Sequence, residues 1–582
     1  MSTLSRWTLA VVAPVLHALG AAPGVDHPIV MPPFFVEEPK TDAIDWLYGA
    51  DGDLQVLSGC STRATAEFLR QITEQRNELR AFIPDEFLLH ASLPTTLILF
   101  PGSLKQTMDQ ALARELEPGD TGTPRRLSPM NDLRLSEPDS SYIFIVFDEA
   151  AWGANGWIQP GGGPRSTSLR TAVHSPAYVR FLLDARVPAL PDWYVTGCVR
   201  LYEGIDHNAG ANPKVRLWQG ASFGADPWLS DEDASGLSRH PEGARPLVPL
   251  RELFAARYPA LKSQEYRRVW EAQAELFVRW ALSGAVDEGP ERLRRFVEGA
   301  ATQRTTEAFF YSCFGIDFAD GLDALSDFLP HAVGRPLHVA QGAASDIPAF
   351  DLQSATVSEV RRIKGEWSRR VLGVIREDNP DYLPHFTGRV RSSLEGAFSR
   401  GERDPGFLAS LALFRVQNGH PKEGIELLEQ FPAAAAARPV ARLELAQQHL
   451  SDALLRPAGP KGLLGDEQAS GILREITASL REGPIEAAYR LVAKVFEHLG
   501  REPAPSERHM LAEGARQFPR DTQLVIQAVS WELRAGEVAD ASQLIEIGLW
   551  EGADPSESRK LLLLENLARQ ALAAASLQKS SR

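Results

Sequence analysis

Apolar and polar residues alternate in the first part of the chain, and a helical period takes over later. Residues 53–61 (DLQVLSGCS) alternate as a half-buried strand does, and residues 62–83 then place Phe68, Ile72, Leu79 and Phe82 at helical spacing. A strand followed by a helix is predicted, closed by Pro84. The short apolar runs TLILF (96–100) and YIFIVF (142–147), each bounded by turn residues, predict two further strands. Long Pro- and Gly-rich loops lie between and after them. The run QPGGGPR (159–165) has the glycines of a phosphate loop but neither its Lys-Ser/Thr pair nor its strand-to-helix setting, and reads as loop.

From Arg170 onward the pattern is mostly helical. Residues 264–282 put Tyr266, Val269, Trp270, Gln273, Leu276, Phe277 and Trp280 on one face, as expected of a buried helix with a broad apolar stripe. Periodicity lapses over 338–356, where small and polar residues dominate, and a linker between domains is placed there. Beyond it the chain reads as helix to its end. Two stretches match at a fixed offset of 117 residues, the distance from Gly419 to Gly536. Phe407 pairs with Leu524, Leu427 with Leu544, Leu428 with Ile545 and Glu429 with Glu546. Each stretch reads as helix, Gly turn, helix, the unit of stacked helix-pair repeats. It resembles a tetratricopeptide array, with Gly424 where that family usually has Ala.

Composition narrows the function. Of 582 residues, 44% are hydrophobic and 24% charged, which suits a globular chain with more than one core. A formal net charge of -15 argues against a sequence-independent grip on nucleic acid. The basic group Arg292, Arg294 and Arg295 alternates with Leu293, Phe296 and Val297 and reads as a solvated helix face. Three cysteines, Cys60, Cys198 and Cys313, allow one disulfide at most and no thiolate metal cluster. The N-terminus has a basic Arg6, an apolar run from Trp7 to Leu19 and small residues to Ala22, which resembles a secretory signal peptide cleaved near Ala21. A short buried helix or a retained anchor is the other reading. No later run is apolar enough to span a membrane.

The segment AVHSPAYVRFLLDARVPALPDWYVTGCVRLYEG (172–204) carries the most specific signal. It resembles the core of the gluzincin peptidases of the MA-like type, where an HExxH helix is followed by a second helix with a pattern like P-x-W-x-x-E-G-x-A. In that pattern two His one turn apart bind Zn²⁺, the intervening Glu activates the bound water, and the second-helix Glu completes the shell. Here Pro191, Trp193 and Gly197 supply the second signature, with Thr196 at the ligand Glu. Pro176 then stands at the first His, Ala177 at the catalytic Glu and Arg180 at the second His. Pro and Ala carry no side-chain donor, Arg is a permanent cation, and a neutral hydroxyl substitutes poorly for a carboxylate. Ser175 as N-cap with Pro176 in the first turn would start the helix. Tyr178, Val179, Phe181, Leu182 and Leu183 keep its packing face.

The resemblance covers roughly residues 30–335 and implies an α+β fold, with a thermolysin-like mixed sheet and helices, followed by an all-α, solenoid-like repeat domain. The expected divisions are a signal peptide (1–22), an extended lead-in (23–52), the degenerate peptidase domain (53–337), the linker (338–356) and the repeats (357–582). It implies a pseudo-metallopeptidase with no catalytic, cofactor-binding or metal-binding residue, serving as a non-catalytic binding or scaffold protein in the periplasm or medium. The expected partner is a protein or peptide, not nucleic acid. Two rivals remain open at this stage. Zinc relocated to His174, Glu203 or His207 would need three convergent ligands and a base. A nucleophile at Ser175 beside His174 lacks a G-x-S-x-G elbow.

Overall fold

The structure, a computed structural model, describes residues 44–80, 82–88, 94–101, 132–147, 176–184, 186–204, 215–218, 247–255, 263–334, 337–340, 350–378, 380–549 and 555–580. Apart from Ile44, these belong to one compact unit, Asp45–Arg582. The proposed leader, most of the lead-in, the run 159–165, and His174, Ser175 and His207 lie outside the described residues.

The architecture is mixed α/β, with a six-stranded mixed sheet and about twenty α-helices among the described residues. The strands are β1 (Leu47–Asp51), β2 (Leu54–Ser58), β3 (Thr95–Pro101), β4 (Asp132–Glu137), β5 (Ser140–Phe147), β6 (Val215–Trp218), β7 (Leu337–Ala340) and β8 (Gln353–Ser354). The sheet order is β4-β5-β3-β2-β1-β8: β2, β3 and β5 run parallel, and β4, β1 and β8 pair antiparallel at the flanks. The parallel strands are the three anticipated from the sequence, β2 from its alternation and β3 and β5 from their apolar runs. β1 folds onto β2 through Gly52, whose φ of 54° favours glycine.

Helices α1 (Thr62–Leu79), α2 (Pro176–Asp184), α3 (Asp192–Glu203), α4 (Leu250–Ala255), α5 (Gln264–Leu282), α6 (Gly289–Thr302), α7 (Glu307–Phe314) and α8 (Phe318–Gly334) follow. Alternation along the strands divides the sheet's faces. Val56, Leu97, Leu99, Ile143 and Ile145 join one large core with Phe68 of α1 and residues of α2, α3, α5 and α6. Within it Trp193 lies 5.2, 5.3 and 5.6 Å from the rings of Phe254, Phe277 and Phe296. The buried face read in 264–282 is α5. There the Trp270 indole donates to the Leu253 carbonyl (3.1 Å), and Gln273 exchanges hydrogen bonds with both backbone groups of Val248 (2.6 and 2.7 Å).

Residues 338–356 contribute more structure than their composition suggests. Part of β7 lies there and pairs with β6, and β8 extends the main sheet. Both strands are too short for a period of two to show. From Val357 on the regular elements are helices: α9 (Val357–Asp378), α10 (Leu383–Ser399), α11 (Pro405–Gln417), α12 (Pro421–Gln430), α13 (Pro432–Ala437), α14 (Pro439–Leu455), α15 (Asp466–Ser479), α16 (Glu486–Glu497), α17 (Pro505–Gln517), α18 (Thr522–Arg534), α19 (Val538–Gly548) and α20 (Pro555–Ser580).

The matched stretches adopt the same hairpin twice. Asp404 caps α11 by accepting from Phe407 N (2.9 Å), and Asp521 caps α18 by accepting from Leu524 N (3.1 Å). The turns pass through Gly419 (φ 86°) and Gly536 (φ 82°). Each is closed by a long backbone bond, His420 N to Arg415 O and Glu537 N to Glu532 O, both 2.9 Å. Gly424 is required by close packing, since a Cβ there would stand 2.7 Å from the Ala412 carbonyl oxygen.

Helix α9 covers the second face of the sheet, where Trp367 stacks on Phe144 with centroids 5.1 Å apart. Beside it lies a buried cluster of three acids and three arginines. Arg369 meets Glu137 and Glu366 (both 2.6 Å), Arg370 meets Glu366 (2.7 Å), and Arg438, preceding α14, meets Asp139 (2.8 Å) and Glu366 (2.9 Å). Burial disfavours all these charges. Mutual attraction outweighs it and holds the Asp139 and Glu366 carboxyls below their ordinary range. Among the described residues, no helix is long and apolar enough to cross a membrane.

Candidate functional site

Helix α2 opens on Pro176, a position where the missing N–H costs nothing. Its apolar spacing turns Tyr178, Val179, Leu182 and Leu183 into the core, which leaves Ala177 exposed and Pro176 and Arg180 half-buried on the other side. The buried face is well anchored. Arg76 of α1 donates toward the Tyr178 hydroxyl (3.4 Å), and Arg134 of β4 lies over the Tyr178 ring, 5.6 Å from its centroid. Strand β4, the outermost of its sheet among the described residues, thus runs beside α2.

Helix α3 is buried along nearly its whole length. Gly197 allows its close approach to α5, since a Cβ there would lie 2.6 Å from the Ala274 carbonyl oxygen. Gln75 of α1 donates to the Tyr202 hydroxyl (2.8 Å), a polar tie in an apolar setting that sequence spacing did not reveal. The α2–α3 pairing brings together two of the four positions singled out in the sequence. The Arg180 guanidinium donates to the Thr196 hydroxyl at 3.4 Å, and Thr196 is buried. Pro176 and Ala177 share the Arg180 side of α2.

One turn on, Asp184 ends α2. Partial burial raises its carboxyl above the usual carboxylate range, and the neighbouring Asp192 adds to this, while Arg180 and Arg520 oppose it. Arg520 was not legible as a site neighbour. It arrives from the turn between α17 and α18 and donates to the Leu190 carbonyl (2.8 Å) and the Asp192 carboxylate (3.2 Å).

The other candidates separate. Glu203, at the end of α3, is raised by burial and by Glu271 against the opposing effect of Arg200. Its proposed companions His174 and His207 lie outside the described residues, and among the described residues no group of three or more His, Cys, Asp or Glu could hold a metal ion. Cys60, Cys198 and Cys313 are buried and outside any disulfide. Burial pushes the Cys198 thiol up to about 12, which keeps it protonated and non-nucleophilic. Of Arg292, Arg294 and Arg295, the first donates to the Phe314 carbonyl (2.7 Å) and the second pairs with Glu291 and Glu298 (2.7 and 2.9 Å). Among the described residues, Arg180 and Thr196 offer this face a guanidinium and a hydroxyl, both hydrogen-bond donors, with the Asp184 carboxylate one turn on.

No protein-family profile, curated protein or solved structure matches the chain.

Proposed function

We propose that the chain is a non-catalytic, extracytoplasmic binding protein: a gluzincin-like peptidase scaffold that has lost its metal chemistry, carrying a tetratricopeptide-like, solenoid-forming helical region. The observation that carries this reading is the meeting of Arg180 and Thr196 at 3.4 Å. In the peptidase pattern these positions would hold the second His and the Glu, which must lie side by side to share one zinc ion. Matching them on signatures alone places them 16 residues apart, and the α2–α3 pairing brings their side chains into contact.

The scaffold suits an extended peptide. Every second residue of an antiparallel edge strand directs its backbone N–H and C=O away from its partner, and β4 is such an edge beside α2. Strand addition along β4 would lead a peptide past the Arg180 side of α2, and the paired hairpins of the helical region offer a second surface.

The test restores the pattern. The quadruple variant Pro176→His, Ala177→Glu, Arg180→His and Thr196→Glu should bind zinc stoichiometrically, while the natural protein purified without added zinc should carry no stoichiometric transition metal. A folded quadruple variant without zinc affinity, or a natural protein with one metal per chain, refutes the reading.

A further inference from the structure

The loop joining α2 to α3 sets the distance between Arg180 and Thr196, and the helical region grips this loop at one point. Arg520 stands at the tip of the α17–α18 hairpin, in a turn with little freedom. Asp521 N donates back to the Phe518 carbonyl (3.0 Å), and the Asp521 carboxylate caps α18 and accepts from Arg490 (2.6 Å). From this fixed tip the Arg520 guanidinium reaches two acceptors at once, the Leu190 carbonyl just before α3 and the Asp192 carboxylate in its first turn. The Arg520 and Asp192 side chains are 26% and 24% exposed, so the pair is partly shielded from water and salt.

We infer that Arg520 is a strap by which the α17–α18 hairpin holds the α2–α3 loop closed and regulates access to the Arg180–Thr196 face. The electrostatics give the strap a direction. The loop brings Asp184 and Asp192 close enough to repel, and Arg520 is a cation that both feel. With Arg520 engaged, the ends of α2 and α3 can stay together. With it withdrawn, Asp192 loses this cation and its repulsion of Asp184 is offset less, which favours opening. A partner that displaced the hairpin would thereby open the face, and a ligand that needed the face open would loosen the hairpin in return. The functional meaning of this strap rests on the Arg180–Thr196 face being the binding site, but the strap itself is testable without any ligand.

The experiment is hydrogen exchange on the full chain, comparing the natural protein with Arg520→Ala, Arg520→Lys and Asp192→Asn. Loss of a charge-assisted hydrogen-bond pair predicts roughly ten-fold faster exchange in peptides covering 186–204 for Arg520→Ala. A smaller rise is expected for Arg520→Lys, whose compact ammonium does not reproduce the two-pronged contact. Asp192→Asn severs the strap from its other end and should give the same local pattern. A second readout uses Thr196→Cys, whose labelling by an uncharged maleimide should also accelerate about ten-fold when Arg520→Ala is added. Exchange and labelling that stay unchanged, or a rise spread evenly over the chain, overturn the strap. Failure of the zinc-restoration test would instead remove the peptidase reading and leave these results standing.

Discussion

Replacing Arg438 with Met should cost more stability than any single surface change in the helical region. The Arg438 side chain is 12% exposed, and its partners Asp139 and Glu366 are 0% and 1% exposed. Solvent screening therefore does little to soften the loss. Met keeps much of the volume, so the effect is mainly one of charge. Three carboxylates would face two guanidiniums, and Asp139 would keep the more distant Arg370, the Val440 N–H and the Ser140 hydroxyl but lose its close cation. Breaking one partner of a buried ion pair typically costs about 3–5 kcal/mol, against ~0–1 kcal/mol for an exposed pair. The assay is urea unfolding followed by circular dichroism, reading the transition in which the β4–β5 hairpin separates from α9 and α14. The double variant Arg438→Met/Asp139→Asn removes one charge of each sign and should recover at least half of the loss. A single-variant cost below ~1 kcal/mol, or a double variant no more stable than the single, would refute a desolvated, charge-balanced cluster.

Three further outcomes are expected. Gly197→Ala should destabilise by about 1–3 kcal/mol despite alanine's better helix propensity, because the new Cβ meets backbone of α5; a thermal midpoint at or above that of the natural protein would contradict the packing. Asp139 and Glu366 have folded carboxyl values below their ordinary 3.8 and 4.5, so their contribution is complete above the ordinary values and drains away as pH falls through the folded ones. A thermal midpoint that stays flat from about pH 5 to about pH 3 would count against this. His449 runs the other way: its hydrogen bond to Glu475, with a weaker one to Glu429, raises it above 6.5, so its contribution is present below that pH and fades as pH rises through the folded value. NMR titration of the imidazole checks the direction, and His449→Gln should abolish that limb of the pH dependence.

What could be read from the sequence was whatever local periodicity records. β3 and β5 declared themselves as apolar runs because both sheet faces are covered, by α1 on one side and α9 on the other, and β2 by its alternation. β1 and β4 are flanking strands with mixed burial, so their runs are weaker and were not anticipated. The hairpin repeat was legible because Gly419 and Gly536 must adopt positive φ and the packing residues recur around them. Tertiary pairings were not. Nothing local to Arg520 or Arg438 announces that one reaches Asp192 and the other Asp139, since each side chain crosses hundreds of residues of chain to a partner that any acidic position might have supplied. Pro176, Ala177, Arg180 and Thr196 stood out only against a family pattern, and the contact between Arg180 and Thr196 was legible only in three dimensions.

The core and the Arg180–Thr196 face of α2 and α3 answer to different physics. A catalytic zinc site draws on the fold for its geometry, while the fold's stability comes from apolar burial, here centred on Trp193, Phe254, Phe277 and Phe296. On α2 the Arg180 side is exposed or half-buried, so Pro176, Ala177 and Arg180 contribute little to that burial. Charge is the constraint that remains. In the peptidase pattern a divalent cation is balanced by two glutamates, and removing the metal alone would leave two carboxylates facing each other. On the proposed correspondence both glutamates are gone as well, as Ala177 and Thr196, and a guanidinium at Arg180 now stands near a single carboxylate, Asp184. Changing one position at a time would pass through intermediates with unbalanced charge in a partly buried site, whereas the set as a whole returns the face to near neutrality. On the proposed reading, such a face would keep its fold, and its hydrogen-bond donors would suit it to hold a ligand.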